Sequence, residues 1–236
     1  MDISVLQKDL ADLSIGLTDR QEEQFSQYGD LLISWNERMN LTRIVESTAV
    51  CRQHFLDSIM PVRYLSLSGK FLIDIGTGAG FPGIPLKIMV PDLKITLLDA
   101  LDKRCRFLQE VVDQLELTGV TIIHGRAEEI ARQEDYRQQF DFATSRAVAR
   151  LSILSEYAIP FLRTNGTFLA YKLDDSKSEL SESENAFRIL GAECTKSESY
   201  QLPGVEPERT LYFIDKKSPT PDKYPRRAGL PSKKPL

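Results

Sequence analysis

One stretch limits the fold of this chain more than any other: Phe71-Leu-Ile-Asp-Ile-Gly-Thr-Gly-Ala-Gly-Phe-Pro-Gly83. Phe71 to Ile75 is an apolar run of strand length, interrupted by the single carboxylate of Asp74. Gly76-Thr-Gly-Ala-Gly80 then places three glycines in five residues, and a helix-length apolar segment, Ile84 to Val90, follows. A strand, a glycine-rich turn and a helix N-terminus make a crevice in which backbone N–H groups face a polar or anionic ligand. Glycine suits such a turn because it accepts positive φ and lets a ligand approach the backbone. The stretch therefore predicts an α/β sheet with a site for a nucleoside-containing cofactor.

The rest of the chain fits around this unit. Residues 1–65 lack strand alternation and read as a helical N-terminal subdomain. Ile3, Leu6, Leu10 and Leu13 repeat at helical spacing before a stop at Gly16, and Thr18 with Gln21 forms a capping-box pattern. Phe25, Tyr28, Leu32, Trp35 and Met39 make one apolar stripe, read as core. Asn40 to Ile44 is a helix exit. Ser47 is a cap for a third helix that Pro61 ends, on which His54 and Asp57 share a face and can bond as a structural pair.

Residues 66–217 alternate strands with helices, the pattern of a mostly parallel, doubly covered sheet. The strands are Phe71–Ile75, Leu93–Leu98, Val120–His124, Phe140–Thr144 and Thr167–Leu173. The helices between them include Lys103–Leu117, a run from about Leu151 to Leu162, and Ser176–Leu190. Two further β-like runs, Ala192–Leu202 and Arg209–Lys216, have only Pro203-Gly-Val-Glu-Pro207 between them, so they must pair as an antiparallel terminal hairpin. The prolines of residues 218–236 predict an extended, non-helical tail.

Composition narrows the function. The 236 residues are 42% hydrophobic and 27% charged, ordinary for a soluble domain, and no apolar run approaches the ~18 residues of a membrane span. The N-terminus has no signal-peptide pattern. Cys51, Cys105 and Cys194 are scattered, with no cysteine or histidine at metal-ligand spacing, so no disulfide or metal site is expected and the compartment is a reducing, cytoplasmic one. The formal net charge of −4 argues against a generic nucleic-acid coat. Yet Asp215 to Leu236 carries seven basic residues against two acidic ones, about +5, which leaves about −9 for the body. A basic arm of this kind can hold phosphates while the body does chemistry.

Gly78-Ala-Gly-Phe-Pro-Gly83 formally matches a dinucleotide fingerprint, and Asp99 stands about twenty residues downstream, so a nicotinamide oxidoreductase is a rival reading. Three features favour S-adenosylmethionine instead. Asp74, inside the strand, suits an amino-bearing ligand better than a pyrophosphate. Pro82 and Pro85 crowd the helix start that a pyrophosphate would need. The terminal antiparallel hairpin belongs to the plan of the Rossmann-like class I methyltransferases, a seven-stranded sheet.

Asp74-Ile-Gly-Thr-Gly-Ala-Gly-Phe-Pro-Gly-Ile-Pro85 resembles motif I of the RsmG (GidB) family. Asn40-Leu-Thr42, His54-Phe-Leu-Asp-Ser-Ile59, Leu98-Asp-Ala-Leu-Asp-Lys-Arg104, Ser145-Arg-Ala147 and Tyr224-Pro-Arg-Arg-Ala-Gly-Leu-Pro231 agree with it, so the resemblance covers essentially the whole chain. Leu230 departs from the small polar residue expected there. The resemblance implies methylation of N7 of a guanine in the 530-loop (decoding) region of 16S rRNA, with 16S rRNA or a small ribosomal subunit particle as partner.

On this reading Gly76, Gly78 and Gly80 let the backbone approach S-adenosylmethionine, with Asp74 near its amino-acid end. Asp99, at a strand end, is placed to accept both ribose hydroxyl protons, and Phe81 either lies along the cofactor or packs helix to sheet. By resemblance, Ala127 and Glu128 frame the adenine, Arg146 contacts cofactor or substrate, and Arg126 and Arg209 are RNA candidates. Lys172 faces the same rim, and Arg226 and Arg227 would meet rRNA phosphates unless the tail instead folds over the pocket. Guanine N7 has a free lone pair, so positioning and desolvation suffice and no catalytic base is expected. A non-catalytic ribosome-binding module is the remaining alternative.

Overall fold

The computed structural model describes residues 1–146, 149–173 and 177–236. Ala147 of the Ser145–Ala147 signature and Ser176, the expected start of a helix, lie outside the described residues.

The chain opens with α1 (Ser4–Asp12) and α2 (Asp19–Met39). Thr18 and Gln21 close a capping box at the start of α2, as the spacing predicts, and Asn40 ends the helix in the left-handed conformation. The stop after α1 falls earlier than Gly16, because Ser14 takes the positive φ. A continuous helical segment follows, α3 (residues 47–63), with a π-helical stretch Val50–Leu56 at its centre. Its cap is Glu46 and not Ser47: the Glu46 carboxylate accepts from the Thr48 and Ala49 N–H groups, while Ser47 Oγ donates to the Asp2 carbonyl. Glutamate adds charge to the capping bond, which complements the helix dipole.

The sheet is built from β1 (Phe71–Ile75), β2 (Lys94–Asp99), β3 (Val120–His124), β4 (Phe140–Arg146), β5 (Leu162–Leu173), β6 (Ala192–Leu202) and β7 (Val205–Lys216). Between them run α4 (Gly83–Met89), α5 (Asp102–Gln114), α6 (Ala127–Ile130), α7 (Leu151–Ala158) and α8 (Lys177–Leu190), and α9 (Leu230–Lys233) closes the chain. The strand order is β3-β2-β1-β4-β5-β7-β6. The first five strands are parallel, β7 runs antiparallel to β5, and β6 pairs antiparallel with β7.

Period-two side-chain alternation distributes this sheet between two cores. Leu72, Leu169, Tyr171, Leu211 and Phe213 face one core with α1, α2, α3, α4 and α5. Ile73, Ile75, Phe168, Ala170, Tyr212 and Ile214 face the other, with α6, α7 and α8. Phe25, Tyr28 and Leu32 of the apolar stripe are buried in the first core, so the N-terminal helices share that core with the sheet.

Boundaries also differ from the sequence reading: α7 ends at Ala158 and β5 already begins at Leu162. The hairpin turn is only Pro203-Gly204, since Leu202 pairs with Val205 and β7 runs through Pro207. Asn165-Gly166 lies inside β5 as an irregularity opposite Phe140 and Phe142. The tail carries a helical turn, α9, because Pro231 occupies a first-turn position where its missing N–H costs nothing. No described helix is long and apolar enough to cross a membrane.

Candidate functional site

The parallel strands end on one edge, and adjacent connections diverge there, leaving a crevice above β1, β2 and β4. Gly76 N and Thr77 N both donate to the Leu98 carbonyl, at 2.8 and 3.1 Å, which folds the glycine loop back over β2. Asp74, fully buried, ties the loop from below: its Oδ2 accepts from Thr77 Oγ1 at 2.6 Å and from Gly83 N at 2.9 Å. Its Oδ1 is buried without a partner among the described residues. Burial holds the Asp74 carboxyl up at about 7.

Gly78 and Gly80 are constrained for different reasons. Both have positive φ, 62° and 92°. A Cβ on Gly78 would meet only the Gly76 carbonyl at 3.9 Å, so the space beside it is open to a ligand. A Cβ on Gly80 would come within 2.7 Å of Tyr28 Oη and 2.6 Å of Ile84 Cγ1, so this glycine answers to packing against α2 and α4. The Tyr28 hydroxyl donates to the Ala79 carbonyl, fixing the loop to the N-terminal helices.

Asp99 closes the other wall. Its Oδ2 accepts from Gly78 N at 2.9 Å and from Arg104 Nη1 at 3.3 Å, and its Oδ1 accepts from Leu101 N at 2.9 Å. Gly125 N donates to the Asp99 carbonyl at 3.0 Å, which brings the β3–α6 connection beside it. Ala127 and Glu128 are buried there, Arg126 is exposed, and Glu128 Oε1 accepts from Gly229 N at 3.0 Å. The structure thus brings Asp74, Gly76, Gly78, Asp99, Ala127 and Glu128 along one edge.

A second set gathers beyond β4. Arg146, the last residue of that strand, reaches α3. Its Nη1 donates to the Gln53 carbonyl at 3.0 Å, to Asp57 Oδ2 at 2.9 Å and to Ser58 Oγ at 3.3 Å, and Nη2 lies 3.1 Å from His54 Nδ1. Asp57 Oδ1 accepts from Tyr200 Oη at 2.8 Å and pairs with Arg209 Nε at 3.2 Å. His54 and Asp57, expected to pair with each other, meet instead through Arg146. Burial, with the Arg146 charge beside it, pushes His54 down to about 3, so it is a neutral ring at physiological pH. Phe81 stacks on that ring at 4.4 Å between centroids and lies 5.1 Å below the Arg146 guanidinium. It also packs against Tyr28 and Phe55, so it serves helix packing in this structure.

Gln53, His54, Asp57 and Arg146 line a cavity of about 660 Å³ whose other walls include Tyr171, Lys172, Glu179, Glu182 and Arg209. Lys172 Nζ binds Glu179 Oε2 and the Ala149 carbonyl, each at 2.8 Å. Tyr171 and Tyr200 escaped the sequence reading, since an aromatic residue in a strand looks like core whichever way it faces. Arg226 turns inward onto Glu156, whereas Arg227 is exposed. The arginine pair of the tail is therefore split between two environments.

A glycine loop held by two carboxylates, on a parallel sheet closed by an antiparallel hairpin, defines a Rossmann-like S-adenosylmethionine-dependent methyltransferase. Solved structures share the fold. M. jannaschii TYW2, in complex with AdoMet, superposes with a TM-score of 0.56 at 13% identity, over 74% of this chain and 79% of that one. TrmN from Thermus thermophilus gives 0.54 at 15% identity, over 68% of this chain and 48% of its own.

Residues 21–210 match the family described as rRNA small subunit methyltransferase G. A relative of that name from Leuconostoc mesenteroides is 50% identical over 96% of both chains. Those from Lactococcus lactis subsp. cremoris and Streptococcus suis are each 46% identical, over 96% and 98% of both chains. The chain belongs to this ribosomal RNA methyltransferase family, and the dinucleotide reading falls. The residues present fit the cofactor: an open face at Gly78, an acceptor at Asp99 and an orphaned buried oxygen on Asp74.

Proposed function

We propose that the chain methylates N7 of a guanine in the decoding region of 16S rRNA, acting on that RNA or on a small ribosomal subunit particle in the cytoplasm. The observation that carries this is the continuity of one sheet edge. Asp99 ends β2 and Arg146 ends β4, with β1 and its glycine loop between them, so the cofactor residues share one edge of the sheet with the cavity lined by Arg146, Asp57 and Arg209, which is large enough for an unstacked base. S-adenosylmethionine supplies a methyl group on a sulfonium. The N7 lone pair would accept that methyl as the carbon–sulfur electrons stay with sulfur, so the positive charge would pass from the sulfonium to the guanine.

No proton leaves N7, so the residues act by placement. Asp99 takes the ribose, Asp74 Oδ1 the amino-acid end, and Ala127 and Glu128 the adenine. Gly76 and Gly80, with Gly78, shape the loop around it, and Phe81 supports Arg146 from below. Tyr171 and Tyr200 give the cavity aromatic walls, which a developing cation favours. Arg126, Lys172, Arg209 and Arg227 are assigned to RNA, and Lys172 is paired with Glu179 at 2.8 Å. The working division is 1–65, 66–217 and 218–236, for helical cover, methyltransferase body and tail.

Labelled methyl transfer to native small subunits tests the reading, with the product mapped by chain cleavage at 7-methylguanine. One modified guanine is expected. Label at an exocyclic amine or ring carbon would reject N7 as the acceptor, and no label above background would reject the substrate.

A further inference from the structure

The C-terminal segment makes its contacts inward, beside the cofactor crevice. Arg226 lays its guanidinium flat on Glu156 of α7, with Nε to Oε1 at 2.9 Å and Nη2 to Oε2 at 2.6 Å, and its backbone N–H adds a third bond at 2.7 Å. The Glu156 side chain is 1% exposed. Two arginines from the connection between β3 and β4 grip the preceding turn. Arg132 donates to the Pro225 carbonyl at 2.5 Å, and Arg137 to the carbonyls of Tyr224 and Thr220 at 2.8 and 3.0 Å. Beyond them, Tyr157 Oη meets Ser232 Oγ at 2.9 Å. Between these anchors Gly229, at φ 79°, points its N–H at Glu128 Oε1.

A guanidinium bound bidentately to a buried carboxylate is saturated on the face it would offer a phosphate. Arg226 therefore acts as an anchor, and what it anchors is a backbone donor on Glu128. A glutamate side chain has three rotatable bonds, and a bond to one oxygen narrows the directions in which the other can point. Oε2 has no partner among the described residues in the hydrogen-bond network around it. Adenine presents an exocyclic amine, a donor that a carboxylate oxygen accepts and that a carbonyl in its place could not supply.

We propose that the tail is a component of the cofactor site, in which the Gly229 N–H, held by the Arg226–Glu156 pair, positions Glu128 to select the adenine amine. This rests on the assignment of Glu128 to the adenine. Arg226 and Gly229 are positioning residues; the contact itself belongs to Glu128.

Calorimetry on the full-length protein would compare S-adenosylhomocysteine with S-inosylhomocysteine, in which a carbonyl replaces the amine. The unaltered protein should prefer the adenine form by roughly tenfold or more, the scale of one hydrogen bond to a charged group. Arg226→Ala should remove most of that preference, chiefly by weakening the adenine form, and should add little further loss in a Glu128→Ala background. Lys234→Ala, which removes an exposed tail charge, should leave the preference intact. A preference unchanged in Arg226→Ala, or equal losses for both ligands, overturns the proposal. If Glu128→Ala alone keeps the full preference, the adenine assignment fails and the proposal with it. Melting curves accompany each variant, and Arg226→Lys, which keeps charge but not the bidentate fork, supplies the same comparison if Arg226→Ala does not fold.

Discussion

Arg146 and Asp57 join the end of a sheet strand to the middle of an N-terminal helix, with Nη1 2.9 Å from Oδ2 and both side chains largely buried. The pair is not closed on itself. Asp57 also holds Arg209 and Tyr200, so one carboxylate serves two guanidinium groups and leaves a net positive charge at the cavity floor. Removing Asp57 would strand two buried cations. Asp57→Ala is expected to cost about 3 kcal/mol or more in urea unfolding, the scale for breaking a buried ion pair. A loss below 1 kcal/mol would mean that solvent already screens the cluster.

Arg146→Lys separates charge from geometry. An ammonium keeps the charge but cannot reach the Gln53 carbonyl, His54 and Asp57 in one plane. Methyl transfer should fall by about tenfold or more, the scale of one charge-assisted hydrogen bond, while cofactor affinity changes little. Equal loss of cofactor affinity would move Arg146 from the acceptor side to the donor side.

The two constrained glycines should fail differently. Gly78→Ala carries a positive-φ penalty of about 1–2 kcal/mol and puts a methyl into the open crevice, so cofactor affinity should drop more than stability. Gly80→Ala meets Tyr28 and Ile84, so the melting temperature should fall first. The paired comparison of melting and calorimetry decides it. A Gly78→Ala protein that binds cofactor normally would place the ligand elsewhere.

Asp74 gives a pH dependence with a definite sign. Its carboxyl is held at about 7 by burial, above the ordinary 3.8. Between these values the folded chain keeps a proton that the unfolded chain releases, so this group's contribution to stability is present below 3.8 and is lost as pH rises through about 7. A cofactor ammonium at Oδ1 favours the carboxylate, so binding below that pH releases a proton and affinity rises with pH until about 7. Calorimetry in buffers of different ionisation enthalpy reads the proton directly. Asp74→Asn should abolish the release, and a release that persists would assign it to another group.

Asp99→Ala removes an acceptor from the crevice and also frees Gly78 N and Leu101 N. Cofactor affinity should fall by roughly tenfold or more, as for loss of hydrogen bonds to a charged group, while RNA retention on filters is unchanged. Parallel loss of both would show that Asp99 organises the whole edge.

Local rules made much of this chain legible as sequence. Apolar period and glycine spacing mark the strand–turn–helix from Phe71, because φ and burial are set by residues a few positions apart. The hairpin follows from a connection too short for a helix. Asp74 falls inside the first strand and Asp99 at the end of the second by counting alone. What no local rule carries is which distant groups share a charge. Asp57, Arg146, Tyr200 and Arg209 lie on four different elements, and their meeting depends on how α3 settles across the sheet. The tail shows the same limit: seven basic residues read as an arm for phosphates, but only the tertiary structure supplies Glu156 and turns Arg226 inward. Composition sets how much charge a segment has, and packing decides which charges remain available to a ligand.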